Sequence, residues 1–266
     1  MVSEGVVTVR WWRFVAVVLG AVSGVTGLAY GLFTRQSRRA RVVIGVPDAP
    51  PPRADGVYGE GDDKPVRFAV VGDSMAAGLG VDDPAELPGV LLATGLAEEL
   101  ERPVRLETYA ISGSTTRDLS AQVDRVVADP PELCLVIIGA NDVTSRVPVG
   151  VSAALLGVQV RRLREAGVGV VVGTCPDLGS IEPIAQPLRS VAREWSLRLA
   201  RAQRREVLAA GGVPVALGDL LAREFVTRRE YFSRDRFHPS AAGYEAAASI
   251  LLPPLVGVLR HEWWPR

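Results

Sequence analysis

Cysteine is scarce in this chain. The 266 residues include two, Cys134 and Cys175, too few for a disulfide-dense scaffold and lacking a C-x-x-C pair for zinc or redox work. Histidine is equally scarce: His238 and His261 are the whole supply, which leaves little room for metal sites or imidazole bases. There is no H-E-x-x-H, no G-x-x-x-x-G-K-[ST] loop and no convincing G-x-G-x-x-G fingerprint, so neither metal nor cofactor is expected. An excess charge of one sign is missing too. Lys+Arg and Asp+Glu both total 30, which removes the global electrostatic argument for a nucleic-acid partner. Internal repeats and long low-complexity tracts are absent.

One long hydrophobic run is present. Residues 14–33, Phe14 to Phe33, carry no charge over 20 positions, enough to cross a bilayer core. Trp11, Trp12 and Arg13 precede the run, and Arg35, Arg38, Arg39 and Arg41 follow it, an aromatic and basic flanking that suits membrane interfaces. No A-x-A cleavage site follows, which favours a retained single-pass anchor over its alternative, a cleaved secretion signal. Four arginines after the run against two before it place the rest of the chain on the cytoplasmic side, by a small margin. Residues 1–13 are then a short tail. Residues 34–64 are a basic and then Pro/Gly-rich linker with little capacity to bury itself.

From residue 65 to 258 the pattern alternates between strand and helix. Strand runs fall at 66–71, 104–110, 133–138, 168–173 and 213–217. Helical patterns fall near 87–101, 116–128, 151–166, 188–210 and 239–252, with Pro253 and Pro254 expected to stop the last. Strands separated by helices imply βαβ units and a parallel sheet covered on both faces. Cys134 starts the third strand and Cys175 follows the fourth. They therefore belong to opposite ends of the sheet, roughly 20 Å apart, and read as two buried free thiols. Residues 259–266 form a tail whose Trp263 and Trp264 suit either a bilayer surface or the domain.

In an open α/β sheet, ligands bind outside the carboxyl ends of the strands, and four loops bring chemistry-bearing residues there or near the C-terminus. They are Gly72-Asp73-Ser74, Ala110-Ile111-Ser112-Gly113-Ser114, Gly139-Ala140-Asn141-Asp142 and Asp235-Arg236-Phe237-His238-Pro239. A serine hydroxyl needs a positioned base to act as a nucleophile. His238 can supply that base, and Asp235, three residues earlier, can hold its tautomer. The backbone N–H groups of Ser74 and Gly113, with the Asn141 amide, can converge on a developing oxyanion. Taken one at a time, each residue has a plainer reading: Ser74 as a helix cap, Asp235 paired with a neighbouring arginine, Gly113 serving its turn, Asn141 forming an Asx turn. Asp73 and Asp177 read as loop braces.

The four blocks, GDSM at Ser74, Gly113, GAND at Asn141 and D-x-x-H at Asp235 and His238, resemble the SGNH hydrolase superfamily of GDSL esterases and lipases. The resemblance covers residues 65–258, with methionine in place of leucine in the first block. It implies a three-layer α/β/α flavodoxin-like domain, with a five-stranded parallel sheet ordered 2-1-3-4-5. It also implies a serine hydrolase acting on carboxylic esters through an acyl-enzyme on Ser74, with a catalytic triad of Ser74, Asp235 and His238. The oxyanion hole would be Ser74, Gly113 and Asn141. The substrate would be a small-molecule, lipid or glycan ester. An acyltransferase, a carbohydrate O-deacetylase or a thioesterase would use the same triad, and a catalytically silent binding module on a tether is a further alternative.

Overall fold

The computed structural model describes residue 28 and residues 30–45 and 50–260. The run 14–33 lies largely outside the described residues, as do Trp263 and Trp264. Six strands form one sheet: β1 (Gly56–Tyr58), β2 (Val66–Gly72), β3 (Val104–Thr108), β4 (Leu133–Ile137), β5 (Gly169–Gly173) and β6 (Val213–Val215). Their order is β1-β3-β2-β4-β5-β6. β3, β2, β4, β5 and β6 run parallel, whereas β1 pairs antiparallel with β3, Val57 facing Arg105.

The expectation of five strands, all parallel, is therefore corrected to a mixed sheet of six, and the order differs by the added edge strand. The extra strand comes from the stretch read as a spacer. Its backbone is drawn to the open edge of β3, and Asp55 Oδ1 takes the Thr108 N–H at 2.8 Å. Short edge strands carrying glycine are common, because they leave little unpaired edge behind.

Alternation along the strands builds the layers. On β2, Phe68 and Val70 face one side and Ala69 and Val71 the other, and all four are buried. The first side packs under α3 (Pro88–Leu100), α8 (Leu217–Thr227) and α9 (Ala241–Leu259). The second packs under α4 (Leu119–Ala128), α6 (Val149–Glu165) and α7 (Leu188–Ala209). β4 is buried at every position, as a strand covered on both faces must be.

Two helical expectations also change. α9 runs straight through Pro253 and Pro254 to Leu259. Proline there removes helix hydrogen bonds, but Leu251, Leu255 and Val258 are all buried by this helix. Each such side chain contributes about 1.5–3 kcal/mol on leaving water, which outweighs the lost bonds. Among the described residues α9 is also the helix long and apolar enough to cross a membrane; here it packs over the sheet. The second change lies in the linker: residues 30–44 form a helix, α1, seated on the domain through Ala40, which is buried against Val143, Leu178 and Leu199. Cys134 and Cys175 are both free and buried.

Candidate active site

β2 ends in a turn that only glycine can make. Gly72 has φ +141°, and a Cβ there would lie 1.9 Å from the Ile137 carbonyl oxygen of β4. The chain then enters α2 (Ser74–Ala77), with Asp73 as its N-cap accepting the Met75 N–H at 3.0 Å. Ser74 thus occupies the first helical position at the carboxyl end of β2 and is 8% exposed. Asp73 braces this turn, as its place in the sequence suggested.

His238 arrives on a second turn. Ser233 N–H bonds back to the His238 carbonyl, and Phe232 and Pro239 form a bridge, which closes the loop. Inside it, Asp235 Oδ1 accepts Ser233 Oγ–H at 2.8 Å, Phe237 N–H at 2.8 Å and His238 N–H at 2.9 Å. Its other oxygen lies 2.6 Å from His238 Nδ1. The opposite ring nitrogen, Nε2, is 3.0 Å from Ser74 Oγ. The structure therefore brings Ser74, His238 and Asp235 into one hydrogen-bonded line. Gly80 keeps the way clear: a Cβ there would meet the Pro239 carbonyl oxygen at 2.5 Å and His238 Cβ at 3.0 Å.

Charge is sharply graded across this line. Burial would raise the Asp235 carboxyl. The His238 ring, the His238 and Phe237 N–H groups and the Ser233 hydroxyl outweigh it and hold the group at about 2. Burial dominates at Asp73, which is pushed up to about 7, with the Met75 N–H and His238 opposing and Asp142 adding to the rise. Burial also raises both thiols, and the carboxylates of Asp73, Asp142 and Asp177 push Cys175 further. Neither cysteine therefore carries thiolate character.

Gly113 lies in the turn after β3, and Asn141 lies in α5 (Ala140–Thr144), the short helix that follows β4. Asn141 Nδ2 donates to the carbonyl of Ser114, the residue after Gly113, at 3.0 Å. That amide hydrogen ties the two segments together, and the second hydrogen on Nδ2 remains for a ligand. Gly113 has φ +85°, so its place in the turn is conformational whatever else it does.

Several site residues carried no signal in the sequence. Gln122 on α4 holds both backbone groups of Gly72: it accepts the N–H at 2.7 Å and donates to the carbonyl at 2.9 Å. Gln203 on α7 does the same for the ends of β4 and β5, accepting Cys175 N–H and donating to the Ile138 carbonyl. Asp142 accepts Thr116 N–H and Oγ1–H, and Thr116 Oγ1 meets Ser152 Oγ at 2.7 Å. Gln122 and Gln203 on their helices, and Thr116 in the turn before α4, read from the sequence as polar side chains facing water. α8 does carry a sequence signal: Leu217, Leu221 and Phe225 recur every fourth residue.

A cavity of about 60 Å³ opens beside Ser74 and His238. Its walls are chiefly apolar, from Leu178, Ile181, Leu221, Phe225, Phe232 and Phe237. Asp177 also reaches it, buried, accepting the Gly179 N–H and paired with Arg193 at 3.1 Å. Among the described residues no group of three or more His, Cys, Asp or Glu is arranged to hold a metal ion.

Comparison with known proteins places this geometry. The family model described as GDSL-like Lipase/Acylhydrolase matches residues 70–246, a span containing every residue of the hydrogen-bonded line. The chain belongs to the GDSL-like lipase/acylhydrolase family. A relative, the GDSL-like esterase Rv1075c of Mycobacterium tuberculosis, is 46% identical over 254 residues, which covers 89% of this chain and 81% of that protein. This GDSL chain also shares its fold with solved structures at lower identity. TesA superposes at TM-score 0.60 with 21% identity, over 72% of this chain and 99% of TesA. A mutant of Axe2, an acetyl-xylooligosaccharide esterase from Geobacillus, superposes at 0.56 with 20% identity, over 71% and 93% of the two chains. An Enterococcus faecalis lipase/acylhydrolase superposes at 0.60 with 19% identity, over 72% and 95%. The GDSL family and its esterase relative make this an ester-cleaving hydrolase of the SGNH type.

Proposed function

We propose that the protein is a membrane-anchored serine esterase that works through an acyl-enzyme on Ser74. The carrying observation is the line from Ser74 Oγ to His238 Nε2, 3.0 Å, and from His238 Nδ1 to Asp235 Oδ2, 2.6 Å. His238 takes the hydroxyl proton as Ser74 attacks the ester carbonyl, then returns it to the departing alcohol. Asp235, ionised far below neutrality, fixes the imidazole tautomer and favours the imidazolium. The N–H groups of Ser74 and Gly113 and the second amide hydrogen of Asn141 hold the oxyanion. One such donor is worth about 3–4 kcal/mol of barrier. Water, activated by the same imidazole, releases the acid.

The 60 Å³ apolar cavity beside Ser74 supports a short acyl group, since only a few heavy atoms fit. The same observation favours O-deacetylation of a carbohydrate as a second reading, because an acetyl group needs no more space. The Axe2 neighbour is named for that reaction on xylo-oligosaccharides. The Ser74→Ala variant is expected to keep its melting temperature and lose turnover of p-nitrophenyl acetate by about 10⁴-fold or more, together with covalent labelling by a fluorophosphonate. Retained turnover in that variant overturns the mechanism.

The anchor reading rests on the uncharged run 14–33 and its arginine flank, with the catalytic domain on the cytoplasmic side. The full chain should stay in the membrane pellet after an alkaline carbonate wash. Recovery in the supernatant removes the anchor and leaves the catalytic reading untouched.

A further inference from the structure

A second cavity, of about 460 Å³, lies between α1 and the catalytic domain, separate from the cavity at Ser74. This volume is within the range of ordinary small-ligand sites. α1 roofs it with Phe33, Ala40 and Ile44, and Leu188 and Trp195 of α7 form its floor. The roof is fastened by Gln36, whose amide accepts the Leu188 N–H at 3.2 Å and donates to the Gln186 carbonyl. Leu178 and Phe237 belong to the walls of both cavities. Phe237 also stands edge-on to His238, ring centroids 4.8 Å apart.

The charge of this cavity has one sign. Arg41 and Arg146 line it, and no carboxylate does so among the described residues. Neither guanidinium has an ion-pair partner there. Some neighbouring arginines are neutralised by carboxylates, Arg193 by Asp177 and Arg229 by Glu182, whereas Arg41 and Arg146 bring their charge to the cavity rim uncompensated. An apolar chamber carrying two unpaired guanidinium groups matches an alkyl chain that ends in an anion.

We propose that this cavity is a binding site for a single-chain anionic amphiphile, a long-chain fatty carboxylate, distinct from the acyl pocket at Ser74. The alkyl chain lies between α1 and α7, against Phe33, Ala40 and Trp195. The carboxylate meets Arg41 and Arg146. The occupant rests on the wall formed by Leu178 and Phe237, one aromatic ring away from the catalytic imidazole.

The test uses the full chain in phosphatidylcholine nanodiscs with a photoreactive diazirine palmitate, irradiated, digested and mapped by mass spectrometry. This readout needs no turnover, so it stands or falls apart from the esterase reading. Labels are expected in peptides covering 30–44 and 184–195, displaced by palmitate and not by methyl palmitate. The double variant Arg41→Ala/Arg146→Ala alters two exposed side chains without partners and should cut labelling at least fivefold with no change in melting temperature. Ala40→Trp, which fills the chamber, should abolish it. Labelling spread evenly over the chain, or unchanged in the double variant, overturns the proposal. So does equal displacement by methyl palmitate, which would show that the anion is not read. Displacement of the probe by phosphatidylglycerol in the nanodisc, with palmitate ineffective, would assign the site to a two-chain lipid and likewise overturn it.

Discussion

Asp73 and Asp235 flank the same imidazole and titrate at opposite ends of the acid range. Asp235 gains from four donors what burial takes away, and its folded value, about 2, lies below the ordinary 3.8. Its contribution to stability is present above about pH 4 and is lost as pH falls through 2. Asp73 has the reverse sign. Its folded value of about 7 lies above the ordinary 3.8, so between those values the folded chain keeps a proton that the unfolded chain has released. Stability from this group therefore falls as pH rises from 4 to 7 and is flat beyond. Asparagine keeps the capping oxygen for the Met75 N–H and removes the ionisation. The Asp73→Asn variant is expected to gain on the parent between pH 5 and pH 8, by up to about 3 kcal/mol, in urea denaturation at the two values. A gap that stays constant or narrows with pH would show that Asp73 is ionised throughout. This residue scale was the most legible in the sequence. Ser74, His238 and Asp235 stand out because they fall in the blocks that resemble the GDSL esterases, and a serine, a histidine and a carboxylate each occupy a loop there. The raised Asp73 was not legible, because it comes chiefly from burial in the folded packing, with Asp142 adding to it from a distant segment.

Strands and loops set those side chains, and the loops are themselves held by helices. Gln122 is the clearest case. Its amide pairs with both backbone groups of Gly72, the residue that turns the chain into Ser74. In Gln122→Leu the Gly72 carbonyl keeps the Ile111 N–H, but the Gly72 N–H is buried without an acceptor. That costs about 1–3 kcal/mol. The turn into Ser74 loosens as well, so kcat for p-nitrophenyl acetate should fall by at least tenfold while KM moves little. A variant with lower stability and unchanged kcat would make Gln122 a fold residue only. The element scale also explains what the sequence concealed. The central strands are visible because burial on both faces demands an unbroken apolar run, as in Leu133–Ile137. β1 is invisible because three residues, Gly-Val-Tyr, carry no periodicity, and their strand exists only because β3 offers an edge. α9 passes through two prolines because the sheet beneath rewards Leu255 and Val258 more than the missing N–H groups cost. Local rules stop a helix at proline only where packing is indifferent.

At the scale of the whole molecule, the open point is how much of the N-terminal region belongs to the enzyme. Composition assigns residues 34–64 to a linker, with four arginines followed by prolines and glycines. The structure instead seats α1 on the domain and adds β1 to the sheet, so the stretch between the hydrophobic run and residue 65 is partly an extension of the fold. Ala40 is 5% exposed, a value met in cores and not in tethers. The buried parts of Phe33, Ala40 and Ile44, together with the Gln36 hydrogen bonds, amount to about 2–4 kcal/mol at the usual value for buried apolar side chains. Two truncations measure this. A chain of residues 30–266 keeps α1 and should melt at the temperature of the full protein. A chain of residues 50–266 loses the roof over Leu178, Ile184 and Leu188. It should melt several degrees lower, given about 2–4 °C per kcal/mol for a domain of this size. It should also aggregate more readily through the uncovered apolar floor. Both should still hydrolyse p-nitrophenyl acetate, because the line from Asp235 to Ser74 lies wholly within residues 74–238. Equal melting temperatures for the two truncations would return residues 30–45 to the status of a tether, and α1 would then be a helix resting on the domain without holding it.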